Sequence, residues 1–276
     1  MDKTWRKSAG KKQLLALSYL SGVYMGDGCI SKARYKVKGK DYSYWRFTLS
    51  AIDLDFIEAS AKAFKDAFDR DAKIYGPYTD KRFSKSKPSW RIHVHGEELL
   101  GLKEDTQDRN RLPKFIKYGD DDEKREFVAG IMDSEGYCAK TKWRTKRNGH
   151  DWSGHRYLLG VAACDPWIDE FASFLQSLGI KTYKRHVWKP KQDGRKTKIT
   201  YHMNKESFLN SGCYFKIARK NERLLDYARR SGLFPSEAIR QTQKCKDMVQ
   251  PHGDVQGNRV DRLISDRNSE LKYRGK

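Results

Sequence analysis

Between Lys11 and Gly26 the apolar residues Leu14, Leu15, Leu17, Leu20, Val23 and Tyr24 return at short, helix-like intervals. That spacing predicts one helix of about 16 residues, with Gly28 suited to its end. From Lys32 the period changes to two. Lys32, Arg34, Lys36 and Lys38 alternate with Ala33, Tyr35 and Val37; past a turn at Gly39, Tyr44, Arg46, Thr48 and Ser50 alternate with Trp45, Phe47 and Leu49. Such alternation predicts paired strands with one face on a core and one basic face. Asp53 is placed to cap a helix reaching Phe68, with Ile57, Phe64 and Phe68 inward. Strands follow at 73–78 and 90–95, where Arg91, His93 and His95 oppose Trp90, Ile92 and Val94, and a short helix is expected at 97–102.

The second half repeats this order. A helix from about Asp122 leads to a strand in which Lys140, Lys142, Arg144 and Lys146 alternate with Thr141, Trp143 and Thr145. A partner strand is expected at 156–163, a helix capped by Asp165 with Trp167, Ile168, Phe171, Phe174 and Leu175 inside, strands at 181–188 and 195–203, and helices near Ser207 and over 218–230. Each half therefore reads αββαββα, an α+β fold of two pseudo-symmetric lobes. The expected boundaries are 1–102 for the first lobe, 103–121 for a polar linker and 122–233 for the second lobe. In 234–276 the pattern fades, and its structure and role are left unassigned.

The repeat is sharpest at the ends of the two opening helices. Residues 20–28 read Leu20-Ser21-Gly22-Val23-Tyr24-Met25-Gly26-Asp27-Gly28, and 128–136 read Val128-Ala129-Gly130-Ile131-Met132-Asp133-Ser134-Glu135-Gly136. Gly22 and Gly26, like Gly130 and Ser134, stand four apart on one helix face, so two such helices can approach with little side chain between them. Pairing them brings Asp27 and Glu135 together at helix C-termini, where the macrodipole disfavours negative charge and each acid repels the other. A divalent cation between them would offset both penalties.

Composition narrows the partner. Lys and Arg number 57 against 36 Asp and Glu, a net charge of +21, which points to a polyanion. No apolar run approaches the roughly 20 residues that span a bilayer, and 1–12 lacks a signal-peptide core. The cysteines Cys29, Cys138, Cys164, Cys213 and Cys245 are odd in number and scattered, which fits an intracellular, reducing compartment (cytoplasm, organelle matrix or phage-infected cell) without disulfides or structural zinc. There is no glycine-rich phosphate loop. His93 and His95 share a face but lack a third ligand, and Asp120-Asp121-Asp122 reads as a helix-start cap.

On these motifs the sequence resembles the LAGLIDADG homing endonucleases in their two-motif, single-chain form. The resemblance spans roughly residues 11–230 and extends to Arg111-Leu112-Pro113-Lys114-Phe115-Ile116 and to Cys213-Tyr214-Phe215-Lys216-Ile217-Ala218-Arg219-Lys220. It implies a saddle of antiparallel sheets with the motif helices at the lobe interface. It further implies a monomer that cuts double-stranded DNA at a long asymmetric site, leaving short 3′ overhangs. Asp27 and Glu135 would hold Mg²⁺, with Mn²⁺ expected to substitute. Lys216, and by weaker correspondence Lys103, would stand near the attacking water. Asp133 fills the sixth motif place, where the first copy has Met25, and is read as structural.

The basic strand faces supply the expected DNA contacts: Lys32, Arg34, Lys36, Tyr44, Arg46, Thr48, Arg91 and His93 in the first lobe, and Lys140, Lys142, Arg144, Lys184, Lys196 and Lys198 in the second. The lack of a terminal nucleophile and Asn argues for a free-standing or intron-encoded protein rather than an intein. Two alternatives remain open: a maturase binding intron RNA, and a non-catalytic DNA-binding regulator on the same fold.

Overall fold

The computed structural model describes residues 9–79, 87–164, 166–189 and 197–233. The 234–276 segment, Lys196 and the Asp165 cap lie outside the described residues. The first lobe runs α1 (Lys11–Met25), β1 (Cys29–Val37), β2 (Lys40–Ala51), α2 (Leu54–Phe68), β3 (Lys73–Tyr78), β4 (Ser89–His95) and α3 (Glu98–Asp105). A short helix α4 (Lys114–Tyr118) falls within the stretch read as a linker. The second lobe runs α5 (Asp121–Ser134), β5 (Gly136–Arg147), β6 (His150–Ala163), α6 (Trp167–Ser177), β7 (Thr182–Trp188), β8 (Lys198–Met203), α7 (Lys205–Asn210) and α8 (Ala218–Arg230).

Each lobe has a four-stranded antiparallel sheet, ordered β1-β2-β4-β3 in one and β5-β6-β8-β7 in the other. The leading hairpins turn through residues with positive φ, Lys38 and Gly39 in one lobe and Asn148 and Gly149 in the other. Such a pair matches the right-handed twist of the strands. Helices cover one face of each sheet, and each lobe has its own core. Phe47, Leu49, Ile57, Phe64, Ile92 and Val94 fill the first; Leu159, Val161, Trp167, Phe171, Leu175 and Met203 fill the second.

The opening helices join the lobes. A Cβ on Gly130 would collide with Tyr19 O and reach within 2.9 Å of Val23 N, and one on Gly22 would lie 2.8 Å from Ile131 N. The two backbones are in contact there, which only glycine permits. Met25 packs in the second core and Ala129 in the first, so each helix is seated in its neighbour's lobe.

The sheets correct the expected basic faces. Ile30 pairs with Phe47 on the helix-covered side, and Lys32, Arg34 and Lys36 share its parity; Cys138 is buried on that side, and Lys140, Lys142 and Arg144 share its parity. These six cations therefore do not line the uncovered face. Ser31, Ala33 and Tyr35 do, together with Tyr44, Arg46, Thr48, Arg91 and His93. The uncovered face of the second lobe carries Tyr137, Thr141, Trp143, Trp152, Arg156, Lys198 and His202. The side chain of Lys184 lies outside the described residues.

Asp53 precedes α2 as expected, but its carboxylate makes no cap hydrogen bond and binds Arg219 of the other lobe instead.

Candidate active site at the lobe interface

The packed helices bring together the two ends that carry the acids. A Cβ on Gly26 would meet Ser134 and come within 3.3 Å of Glu135 Cγ, so Glu135 lies against the residue preceding Asp27. Both acids stand where a helix gives way to the first strand of a sheet, at the point from which the uncovered faces begin. Asp27 is exposed, and among the described residues its carboxylate makes no hydrogen bond or ion pair. Desolvation raises its pKa, against the opposing influence of Lys220 and Arg109. Across the helix pair Gly22 lies against Ile131 and Gly130, and Gly26 against Ser134.

Two cations at this place were not singled out from the sequence. Lys220 Nζ is buried and donates to Met132 O at 3.0 Å and Asp133 O at 2.6 Å, two of the last carbonyls of α5. Burial lowers its pKa, with Asp133 acting in the other direction. An ammonium has three donors, and the third has no partner among the described residues. Arg109 serves α1 in the same manner: Nε donates to Met25 O at 3.2 Å and Nη2 donates to Gly26 O. Positive charge at a helix C-terminus is favourable by about 0.3–1 kcal/mol, and more where partly buried.

The two cations are held by different means. Gln107, Asp108 and Arg109 all have φ between 48° and 72°, a run of left-handed residues that costs roughly 1–2 kcal/mol each. This turn also delivers Asp108 to the Tyr24 hydroxyl at 2.8 Å. Lys220, in contrast, stands in the first turn of α8, whose start is pinned by three carboxylates. Asp133 accepts from the N–H groups of Lys216 and Ile217, Asp55 accepts from Ala218 N at 2.6 Å, and Asp53 takes the Arg219 guanidinium through two bonds of 2.5 and 2.6 Å. Asp53 and Asp55 belong to the first lobe, so part of the support for Lys220 crosses the interface.

Lys216 and Lys103 do not reach the acids. Lys216 Nζ is buried 2.9 Å from Glu126 Oε2 and 3.7 Å from the centroid of the Tyr19 ring. Glu126 is nine residues before Glu135 on one helical path, so this pair lies about 13 Å from the acid end along the axis. The basic residue that serves this end is Lys220, four positions later and inside α8. Lys103 lies over Trp45 and within 3.5 Å of Asp108. Asp133 is fully enclosed and accepts from Tyr19 and from two backbone N–H groups; burial pushes its pKa up to about 6.

The uncovered face beside the acids is aromatic and basic. Tyr42, Tyr35, Tyr44 and His95 follow one another at ring separations of 5.3, 5.5 and 4.6 Å. Arg91 lies over Tyr78 and donates to Ser50 Oγ, and Thr48 Oγ1 contacts His93 Nδ1. Burial, with Arg46, Arg91 and His95 nearby, lowers the pKa of His93. Arg46 Nε is buried with no partner among the described residues, and an orphaned buried donor costs about 1–3 kcal/mol.

Among the described residues no group of three or more His, Cys, Asp or Glu side chains could hold a metal ion, so a cation at Asp27 and Glu135 would complete its shell with backbone oxygens, water or a bound anion. Oxygen-only donors with open positions suit Mg²⁺. Among the described residues no helix is long and apolar enough to cross a membrane. The described cysteines Cys29, Cys138, Cys164 and Cys213 are free thiols.

No family model matches the sequence, and no curated protein does. Among solved structures the chain is similar to the LAGLIDADG homing endonuclease I-GzeII in complex with its DNA target, at 10% identity and a TM-score of 0.45, covering 86% of this chain and 99% of that one. It is likewise similar to the homing endonuclease I-WcaI bound to its DNA recognition sequence, at 13% identity and a TM-score of 0.47, covering 80% and 91%. The N-terminal LAGLIDADG domain of WhiA overlaps at 14% identity and a TM-score of 0.39, covering 72% and 79%.

Proposed function

We propose that this chain is a site-specific, divalent-metal-dependent endonuclease that hydrolyses both strands of duplex DNA at a long asymmetric site, leaving short 3′ overhangs. The observation that supports this reading is that Glu135 lies against Gly26, the residue before Asp27, with both acids just past the ends of the paired helices. Folding alone gives two acids no reason to stand there.

The residues present fit Mg²⁺: Asp27 and Glu135 would hold it, and it would supply an activated water and a stabilised leaving oxygen. The chain's own groups do the rest. Lys220 and Arg109 neutralise the helix ends, so both acids can stay ionised against the dipoles. The third N–H of Lys220 is free for a phosphate oxygen and would favour charge developing there. Arg46, Arg91, His93, Tyr44, Thr48 and Lys198 on the uncovered faces would meet the duplex, some at base edges and many at phosphates. The +21 net charge makes that association strongly salt-dependent.

The test is cleavage of a plasmid library carrying randomised inserts, with and without chelator. Asp27→Asn or Glu135→Gln should lower double-strand cleavage by roughly 10³-fold or more while duplex binding persists. Undiminished cutting by either variant, or by the chelated protein, would refute the assignment.

A further inference from the structure

A cavity of about 630 Å³ runs along the edge of β6 beside α8. Pairing of β6 with β8 begins at Gly160, so the β6 edge from Gly154 to Leu158 has no partner strand among the described residues. Arg156, Lys205 and Arg230 line the cavity together with Tyr183 and Tyr227.

The charges there are not balanced from within. Asp226 accepts from Tyr157, from Lys140 at 2.7 Å and from Arg230 at 2.9 Å, so it is already engaged. Among the described residues no carboxylate pairs with Lys205 or Arg156. Lys205 Nζ instead lies 4.9 Å from the centroid of the Tyr227 ring, and burial, with Arg156 adding its repulsion, lowers its pKa. Burial and the nearby Arg156 both oppose the Lys205 charge, and an anion seated between the two cations would relieve that.

The walls specify more than an anion. Tyr183 is 48% exposed and stacks by one face on His202 at 6.1 Å, and Tyr227 packs at 5.7 Å from Tyr157. Flat aromatic surfaces beside a pair of cations suit a base and its phosphate. In the first lobe Gly96 N donates to Trp45 O at 3.2 Å, one position beyond the paired stretch of β2.

We propose that this groove binds an unpaired nucleotide, its phosphate between Arg156 and Lys205 and its base against Tyr183 or Tyr227. The site uses neither Asp27, Glu135 nor Lys220, so it stands or falls apart from cleavage. The open strand edge could also receive an extended peptide, and the test separates the two.

The full chain is titrated with unstructured single-stranded DNA and RNA octamers of one sequence and with a 30-base-pair duplex, at several salt concentrations. Lys205→Gln should weaken single-strand binding about tenfold and reduce its salt slope by about one, and Tyr183→Ser should weaken it by roughly 5- to 100-fold. Duplex binding should change by less than about twofold in Lys205→Gln. A 4-thiouridine-bearing octamer should crosslink to Tyr183 or Tyr227. Preference for the RNA or the DNA octamer identifies the natural source of the nucleotide. Single-strand binding unchanged in both variants, equal loss of duplex binding, or displacement by inorganic phosphate as effective as by a nucleoside monophosphate would each overturn the proposal. So would capture of an unphosphorylated acidic peptide with no measurable octamer binding.

Discussion

The two lobes solve one electrostatic problem in two ways. Each ends its opening helix on an acid, and each places a cation on the last carbonyls. In the first lobe that cation is Arg109, carried by a turn of three left-handed residues. In the second it is Lys220, buried in a regular helix whose start is tied down by Asp53, Asp55 and Asp133. The difference teaches that sequence repetition conserves the place of an acid more faithfully than the route by which its surroundings are built. It also implies that the first helix end depends on local backbone strain, the second on the lobe interface.

Disrupting the shared interface should have the largest effect. Gly130→Ala or Gly22→Ala forces a methyl against backbone atoms of the neighbouring helix, and each should cost about 1–3 kcal/mol or more in a urea titration. Gly149→Asn, at a left-handed hairpin position with open space around it, should cost less than about 1 kcal/mol. Equal losses would mean that the glycines matter only for backbone freedom.

The next contrast is between the two cations. Lys220→Met leaves two helix-end carbonyls without their buried donor and should reduce cleavage by roughly 10²-fold; Arg109→Met, at a more open site, should do less. Both cations hold the Asp27 pKa down against desolvation, so removing either raises it. Because the acid must be ionised to bind a cation, the acid limb of the pH–rate profile should move to higher pH in both variants. A limb that stays in place would separate these cations from Asp27.

The last contrast concerns Asp133, whose carboxyl is raised to about 6 in the folded chain. An unfolded aspartate releases its proton near pH 4, so the folded state binds more protons between these values. Stability from this group is therefore present below about pH 4 and lost as pH rises through about 6, on the order of 2–3 kcal/mol. Asp133→Asn should flatten that slope, measured by chemical denaturation at several pH values. An unchanged slope would place the titration elsewhere.

Much of the fold is legible in the sequence. The three- and four-residue spacing of Leu14, Leu17 and Leu20, the two-residue alternation around Phe47 and Leu49, and the duplicated glycine–acid pattern define the elements, their order and the paired carboxylates. Local periodicity reports these because each depends on neighbours within one turn or one strand. The face of the leading hairpins was not legible. Ala33 and Tyr35 read as a core face, yet Tyr35 is 47% exposed, and Lys32 and Lys140 share the side of Ile30 and Cys138. Those hairpins extend past the helices that cover the sheets, so beyond Ile30 neither face is buried and apolar residues no longer mark the inside.

The sequence by itself thus determined which acids, glycines and strands exist and in what order, since those follow from short-range spacing. Only the tertiary structure decided which lysine meets the helix ends. Lys216 just before α8 and Lys220 in its first turn are four residues apart, and their destinations, Glu126 or the carbonyls of Met132 and Asp133, depend on where that segment docks. Docking is set by contacts between residues more than a hundred positions apart, such as Asp53 with Arg219, which no local pattern encodes.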